Sequence, residues 1–186
     1  ETDFRSYQFR RLNKFSNNYL PFLSPPFGEN IPNIITANKD LKQLVSDFFL
    51  SKNYRLIMKP TENEVEMAKD VNGDLYSFPY RLISETMQRY IFGMLAIKSN
   101  QKAVLILDEP ETNMFPFFVK DFSESIADEI SNQYFITTHN PFMLSSLLEK
   151  TDKDELAVFI TTMHDYETKV QQCSHDQIEE LLSLGS

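Results

Sequence analysis

Apolar positions recur along this chain in three different rhythms, and each predicts a different element. From Asn38 to Lys52, Leu41, Leu44, Val45, Phe48 and Phe49 repeat at three-four spacing. That spacing predicts an amphipathic helix, with Asn38 as its N-cap. Over residues 54–78 the rhythm shortens. Arg55-Leu56-Ile57-Met58, Glu64-Val65-Glu66-Met67 and Leu75-Tyr76-Ser77-Phe78 predict an antiparallel meander, and Asn72-Gly73 is a two-residue hairpin signal. The second half alternates helix and strand. Helices are predicted near 83–98 (Met87, Ile91, Met94, Leu95), near 117–130 (Phe118, Phe122, Ile126, Ile130) and at 141–149. Strands are predicted at 103–107, 134–138 and 156–162, followed by Lys169-Val170 and a last helix from about His175. This alternation points to an α/β fold whose sheet is mainly parallel with flanking helices, plus the small antiparallel meander.

Ahead of these elements, residues 1–36 are aromatic-rich and irregular, with Phe4, Tyr7, Phe9, Phe15, Tyr19, Phe22 and Phe27 among Asn, Ser and Pro. Pro21, Pro25, Pro26 and Pro32 rule out a long helix across 20–33. Tyr7 and Phe9 alternate with polar neighbours, as a short strand does. The chain therefore divides into an N-terminal segment (1–36), a helix with a meander (37–79) and an α/β half (80–186).

The run Ala103-Val104-Leu105-Ile106-Leu107 is apolar without interruption, the pattern of a strand buried on both faces of a parallel sheet. It ends in Asp108-Glu109-Pro110. Open α/β sheets bind ligands beyond the carboxyl ends of their strands. Two acids there suit a Mg²⁺ shell and a polarised water, because Mg²⁺ needs few protein carboxylates beside substrate phosphates. The alternative is a solvated strand end before a proline turn. The next strand, Phe135-Ile136-Thr137-Thr138, ends at His139. A right-handed crossover would bring the two strand ends together. There His139 could bond a terminal phosphate or orient a water; alone, it reads equally as a turn residue before Asn140-Pro141.

Ser84 is a natural N-cap for the helix of Glu85-Thr86-Met87-Gln88-Arg89, so free amides and a positive dipole end would face outward there. Such an end binds anions, and Arg89 lies one turn inside. Simple capping with a surface arginine is the plainer reading of the same residues.

Composition narrows the classes. Of 186 residues, 41% are hydrophobic and 24% charged, ordinary for a globular domain. No apolar stretch is long enough to span a bilayer, and the first residues lack the apolar core of a signal peptide. No membrane insertion is expected. Cys173 is the single cysteine, which excludes an intrachain disulfide and fits a cytoplasmic location. The net charge of −9 gives a nucleic-acid partner no support, and Arg5, Arg10, Arg11 and Lys14 read as a solvated face. His164, His175 and Cys173 lack metal-ligand spacing, and no serine sits in a G-x-S-x-G context. The glycines are Gly28, Gly73, Gly93 and Gly185, and none is followed by lysine, so G-x-x-x-x-G-K-[ST] is not present.

In this order and spacing, the residues resemble the C-terminal half of an ABC-type ATPase domain. More narrowly, the chain is similar to AAA-family ATPases akin to the OLD (overcoming lysogenisation defect) and SMC-like repair proteins. The resemblance covers residues 80–150. It implies a partial P-loop NTPase fold, ATP and Mg²⁺ as cofactors, and these roles. Ala103 to Pro110 resembles the Walker B strand, with Asp108 on the Mg²⁺ shell and Glu109 as the base that polarises the attacking water. Glu111-Thr112-Asn113-Met114-Phe115-Pro116 resembles the D-loop region. His139 resembles the switch histidine that senses the γ-phosphate. Ser84 to Arg89 resembles the signature motif, with Ser84, Thr86 and Arg89 near nucleotide; the usual motif is S-x-G, and Thr86 stands at the glycine position.

The resemblance further implies that a Walker A strand belongs beside the strand ending at His139, supplied by an upstream segment or another chain. The first residue, Glu1, and the last residues also suggest a piece of something longer. Signature motifs act in trans, so an ATP-dependent homodimer is implied. The expectation is an ATP-hydrolysing domain fragment, inactive as the isolated chain. Two alternatives stand beside it. One is a non-hydrolysing binding or regulatory module derived from such an ATPase. The other is a metal-dependent nuclease using Asp108, Glu109 and Glu111.

Overall fold

A computed structural model describes residues 3–174, 176–178 and 180. The helix expected from about His175 falls largely outside them. Five α-helices and eight strands are arranged in three sheets among the described residues. The first sheet holds β1 (Asp3–Tyr7), β5 (Ala103–Asp108) and β6 (Gln133–Thr137), in the order β1-β5-β6. Both pairings are parallel, so all three strands finish on the same rim. The second sheet is the antiparallel meander β2 (Arg55–Lys59), β3 (Glu64–Val71) and β4 (Asp74–Pro79). Its Asn72-Gly73 turn has φ of 56° and 93°, the left-handed values that a tight hairpin turn requires.

The third sheet differs from expectation. A strand of the parallel sheet is expected at 156–162. Instead Leu156 to Val158 lie outside any strand, with Leu156 and Val158 half-buried, and β7 (Phe159–His164) pairs, among the described residues, only with β8 (Glu167–Gln172), as an antiparallel ribbon with every residue exposed. An apolar run does not name its partner, and here the nearest strand in sequence took it.

The helices are α1 (Ile31–Ala37), α2 (Lys39–Ser51), α3 (Glu85–Ser99), α4 (Pro116–Ala127) and α5 (Pro141–Lys150). Asn38 caps α2 by accepting from the amides of Asp40 and Leu41. Helix α4 ends at Ala127, short of the expected residue 130, and leaves Ile130 88% exposed. Tyr7, Leu23 and Ile34 from the N-terminal segment, Val45 and Phe49 from α2, Ile91 and Leu95 from α3, and Leu105 from β5 all enter one core. Helix α3 lies against α4 at Gly93, where a Cβ would meet the Phe122 ring at 2.6 Å.

Side chains alternate across a strand, so residues 103, 105 and 107 of β5 face one way and 104, 106 and 108 the other. Ala103, Leu105 and Leu107 are buried in the core. On the opposite face Val104 is buried at 4% but Ile106 is 39% exposed; Phe4, paired with Val104, and Phe135, paired with Ile106, are 69% and 56% exposed. The expected burial of this strand on both faces is therefore found for Ala103 to Leu105 and is lost on the far face at Ile106. The far edge of β6 also pairs with no strand among the described residues. No helix among them is long and apolar enough to cross a membrane.

Candidate functional site

The rim of the parallel sheet carries the acids and the histidine. Asp108 is the last residue of β5 and lies opposite Thr137 of β6. The Thr137 hydroxyl donates to Asp108 Oδ1, and the Thr137 hydroxyl oxygen accepts the Glu109 amide at 3.2 Å. One hydroxyl thus fixes the carboxylate of the first acid and the backbone of the second.

Glu109 then breaks the strand's alternation. Its φ is 42°, in the left-handed region, where a residue with a Cβ is held at a cost of about 1–2 kcal/mol. Its amide also donates to the Thr137 carbonyl at 3.1 Å, which holds the turn. As a result its carboxylate reaches the neighbouring loop: Oε1 lies 3.2 Å from His139 Nε2, and Oε2 accepts the Thr112 hydroxyl at 3.4 Å. The His139 side chain is 90% exposed and that of Glu109 45%, so the pair stands open at the surface. Strained backbone of this kind persists where the surroundings over-determine it, and functional sites are where it concentrates.

The histidine's own loop is fixed as well. The Thr138 hydroxyl donates to Glu111 Oε1 and accepts the Asn140 amide at 3.0 Å. Asn140 caps α5 by accepting from the amides of Phe142 and Met143. Glu111 is only 5% exposed, and its Oε2 has no hydrogen-bond partner. Its carboxylate is thus committed to the loop after β6 and does not join the other two acids. Among the described residues, no three His, Cys, Asp or Glu side chains are arranged to hold a metal ion. That geometry gives the nuclease alternative no support.

The start of α3 lies across the loop after β5. Ser84 accepts the Met87 amide at 3.3 Å, so it is the N-cap. Buried Gln88 donates to the Ile83 carbonyl at 2.8 Å and anchors the helix start from inside. The Thr86 hydroxyl donates to the Asn113 carbonyl at 2.9 Å. Arg89 does not reach outward. Its Nε donates to Glu85 Oε1 at 2.8 Å, and its guanidinium lies 4.5 Å from the centre of the Phe9 ring. The bonds from Arg89 and Asn113 hold the Glu85 carboxyl below the usual carboxylate range.

The structure therefore brings Asp108, Glu109 and His139 to one rim, and sets Ser84, Thr86 and Arg89 along the neighbouring helix start. Residue-by-residue reading of the sequence missed Thr137, Thr138 and Thr112, which position the acids and the histidine. The visible signal was Thr137-Thr138 directly before His139, two donors at a strand end. A single carboxylate, Asp108, with the Thr137 hydroxyl beside it is a donor set of the kind Mg²⁺ uses when substrate phosphates supply the rest.

Residues 3–145 match the sequence model of the family described as "AAA domain, putative AbiEii toxin, Type IV TA system". Among curated proteins none matches the chain. Solved structures with a similar fold include a chain from work on ATP-driven dimerization and DNA-stimulated activation of SMC ATPases. That chain has TM-score 0.55 and 16% identity, over 82% of this chain and 96% of that one. The Smc head domain with a coiled coil and joint from Pyrococcus yayanosii is similar at TM-score 0.55 and 16% identity, over 82% of this chain and 30% of that one. The Smc head domain from Pyrococcus furiosus, bound to the C-terminal domain of ScpA, gives TM-score 0.53 and 18% identity, over 82% and 39%. The chain thus spans nearly the whole of the first and about a third of the other two.

Proposed function

Because this chain belongs to the AAA-domain family whose model it matches, we propose that it is the hydrolytic half of an ATP-binding ATPase domain. The observation that carries the proposal is the contact of Glu109 with His139, at 3.2 Å, on the rim where two adjacent parallel strands end. Glu109 acts as the base that polarises the attacking water, and His139 orients that water or contacts the terminal phosphate. Asp108 is the carboxylate for Mg²⁺, which when bound would neutralise charge on the phosphates. Phosphoryl transfer asks of a protein mostly positioning and charge stabilisation; this rim offers the positioning, and charge stabilisation would come from the Mg²⁺ that Asp108 would hold.

The rim lacks a phosphate cradle, since the sequence has no G-x-x-x-x-G-K-[ST]. Its two acids, Asp108 and Glu109, would also repel a triphosphate unless cations were added. The open edge of β6 and the bare apolar face of Phe4, Ile106 and Phe135 suit a further strand and helix carrying the P-loop, from elsewhere in the protein or from another chain. The start of α3 faces a second copy, and ATP then joins two copies; dimerization on ATP is stated for an SMC relative of the same fold. Arg89, paired with Glu85, acts by holding the helix start and not by touching phosphate. The lack of a P-loop motif favours one second reading, a non-hydrolysing binding module built on the same scaffold.

In the protein that carries the P-loop, Glu109→Gln should lower kcat by about 100- to 1,000-fold, the range for losing a positioned base, with ATP affinity nearly unchanged. Wild-type turnover by that variant would remove Glu109 from the chemistry. ATP binding without hydrolysis by the wild type would favour the second reading.

A further inference from the structure

Thr86 stands at the position where the resembled signature motif has glycine, and its side chain does not serve its own helix. Its hydroxyl donates to the carbonyl of Asn113, 27 residues away and in the loop after β5. The Asn113 side chain returns the contact, with Nδ2 donating to Glu85 Oε1 at 3.3 Å. Asn113 has φ of 59°, a left-handed conformation that asparagine tolerates better than most residues. Its neighbour Thr112 donates its hydroxyl to Glu109 Oε2 at 3.4 Å and its amide to the Glu109 carbonyl at 3.1 Å. Hydrogen bonds at the adjacent residues 113 and 112 therefore tie the first turn of α3, across one peptide bond, to the carboxylate that meets His139.

We propose that Thr86 and Asn113 are positioning residues that latch the loop after β5 onto α3 and so hold the Glu109 carboxylate against His139. The proposal rests on the reading of Glu109 as the hydrolytic base. The physical need is clear from the backbone. Glu109 sits in a conformation that costs free energy, and bonds made by its own loop, by Thr137 and by His139 oppose its relaxation. Glycine at position 86 would leave the Asn113 carbonyl without its donor. This chain thus has a tie between helix start and base that an S-x-G motif cannot make.

Hydrogen exchange on this chain tests the latch without any need for turnover. The amides of Thr112 and Met114 donate within the loop, to Glu109 and Glu111. Thr86→Val and Asn113→Ala should each speed their exchange about fivefold, the size expected for losing one or two hydrogen bonds. Thr86→Ser should keep the wild-type rate. The double variant should be little faster than either single one, because both break the same unit. Unchanged amides of β3 and β4 would show that the fold persists. In the protein carrying the P-loop, Thr86→Val should lower kcat about tenfold and leave KM within about twofold, as expected when a group acting only in the transition state is displaced. Loop amides that exchange at the wild-type rate in both single variants would overturn the latch, even where Glu109→Gln abolishes hydrolysis. Faster loop exchange with unchanged kcat would overturn its link to the base. A Glu109→Gln variant that hydrolyses normally would instead overturn the reading on which the proposal rests.

Discussion

The two faces of the β1-β5-β6 sheet are built from the same kinds of residue and live in different surroundings. On one face Leu105 is fully buried, with Ala103 and Leu107 beside it, under α3 and the rest of the core. On the other, Val104 is buried but Phe4, Ile106 and Phe135 meet solvent. β5 thus carries the composition of a strand meant for two layers, while the described residues leave the second layer open from Ile106 onward. The difference teaches where a further layer would fit. The rim proposed to be catalytic lies between a closed face and an open one, and the open one is where the proposed P-loop segment would pack.

Truncation should separate the faces most sharply. Leu105→Ala opens a cavity in the closed core and should cost about 2–5 kcal/mol in denaturant unfolding. Ile106→Ala, one residue along, removes a side chain that is already partly wet, and should cost less than about 1 kcal/mol. Equal losses would mean that the open face is covered in solution. Gly93→Ala comes next. Its new Cβ would press on Phe122, which is fully buried and cannot retreat, so a loss of about 1–3 kcal/mol is expected from overpacking. A neutral result would show that α3 and α4 are less tightly joined on the closed side than described.

The smallest expected effect is on pH. Folding lowers the Glu85 carboxyl through Arg89 and Asn113, so the unfolded chain takes up this proton first as pH falls. The resulting stability is present above the ordinary carboxylate range and lost as pH drops through the folded value. The group is about a third exposed, so the effect is modest. The stability gap between wild type and Glu85→Gln should therefore be widest near neutral pH and close in acid. A gap that widens in acid would contradict the assignment of its partners.

Much of this was legible from residue patterns. Asn38 and Ser84 announce their helices because a short polar side chain before an apolar periodic run has few other uses. Asn72-Gly73 announces its turn because few other pairs accept two left-handed residues. Asp108, Glu109 and His139 stand out because each ends an apolar strand. What stayed hidden depends on contacts between distant segments. Nothing local to Phe159–His164 tells an exposed ribbon from a sheet strand, and the placement of β1 beside β5 joins residues about a hundred positions apart. The left-handed turn at Glu109 was hidden for the same reason, since strand alternation argued that adjacent acids would point apart. Thr137, from the neighbouring strand, holds that turn. Thr86 read as a departure from a motif, and its bond to the Asn113 carbonyl was not visible in the sequence.

The most direct test is to measure ATP turnover by the 186-residue chain alone and again when a P-loop segment of the kind proposed is supplied, joined or as a separate chain. Turnover should be absent in the first case, appear in the second, and disappear again with Glu109→Gln. Steady hydrolysis by the chain alone, lost on that substitution, would contradict the need for a second half.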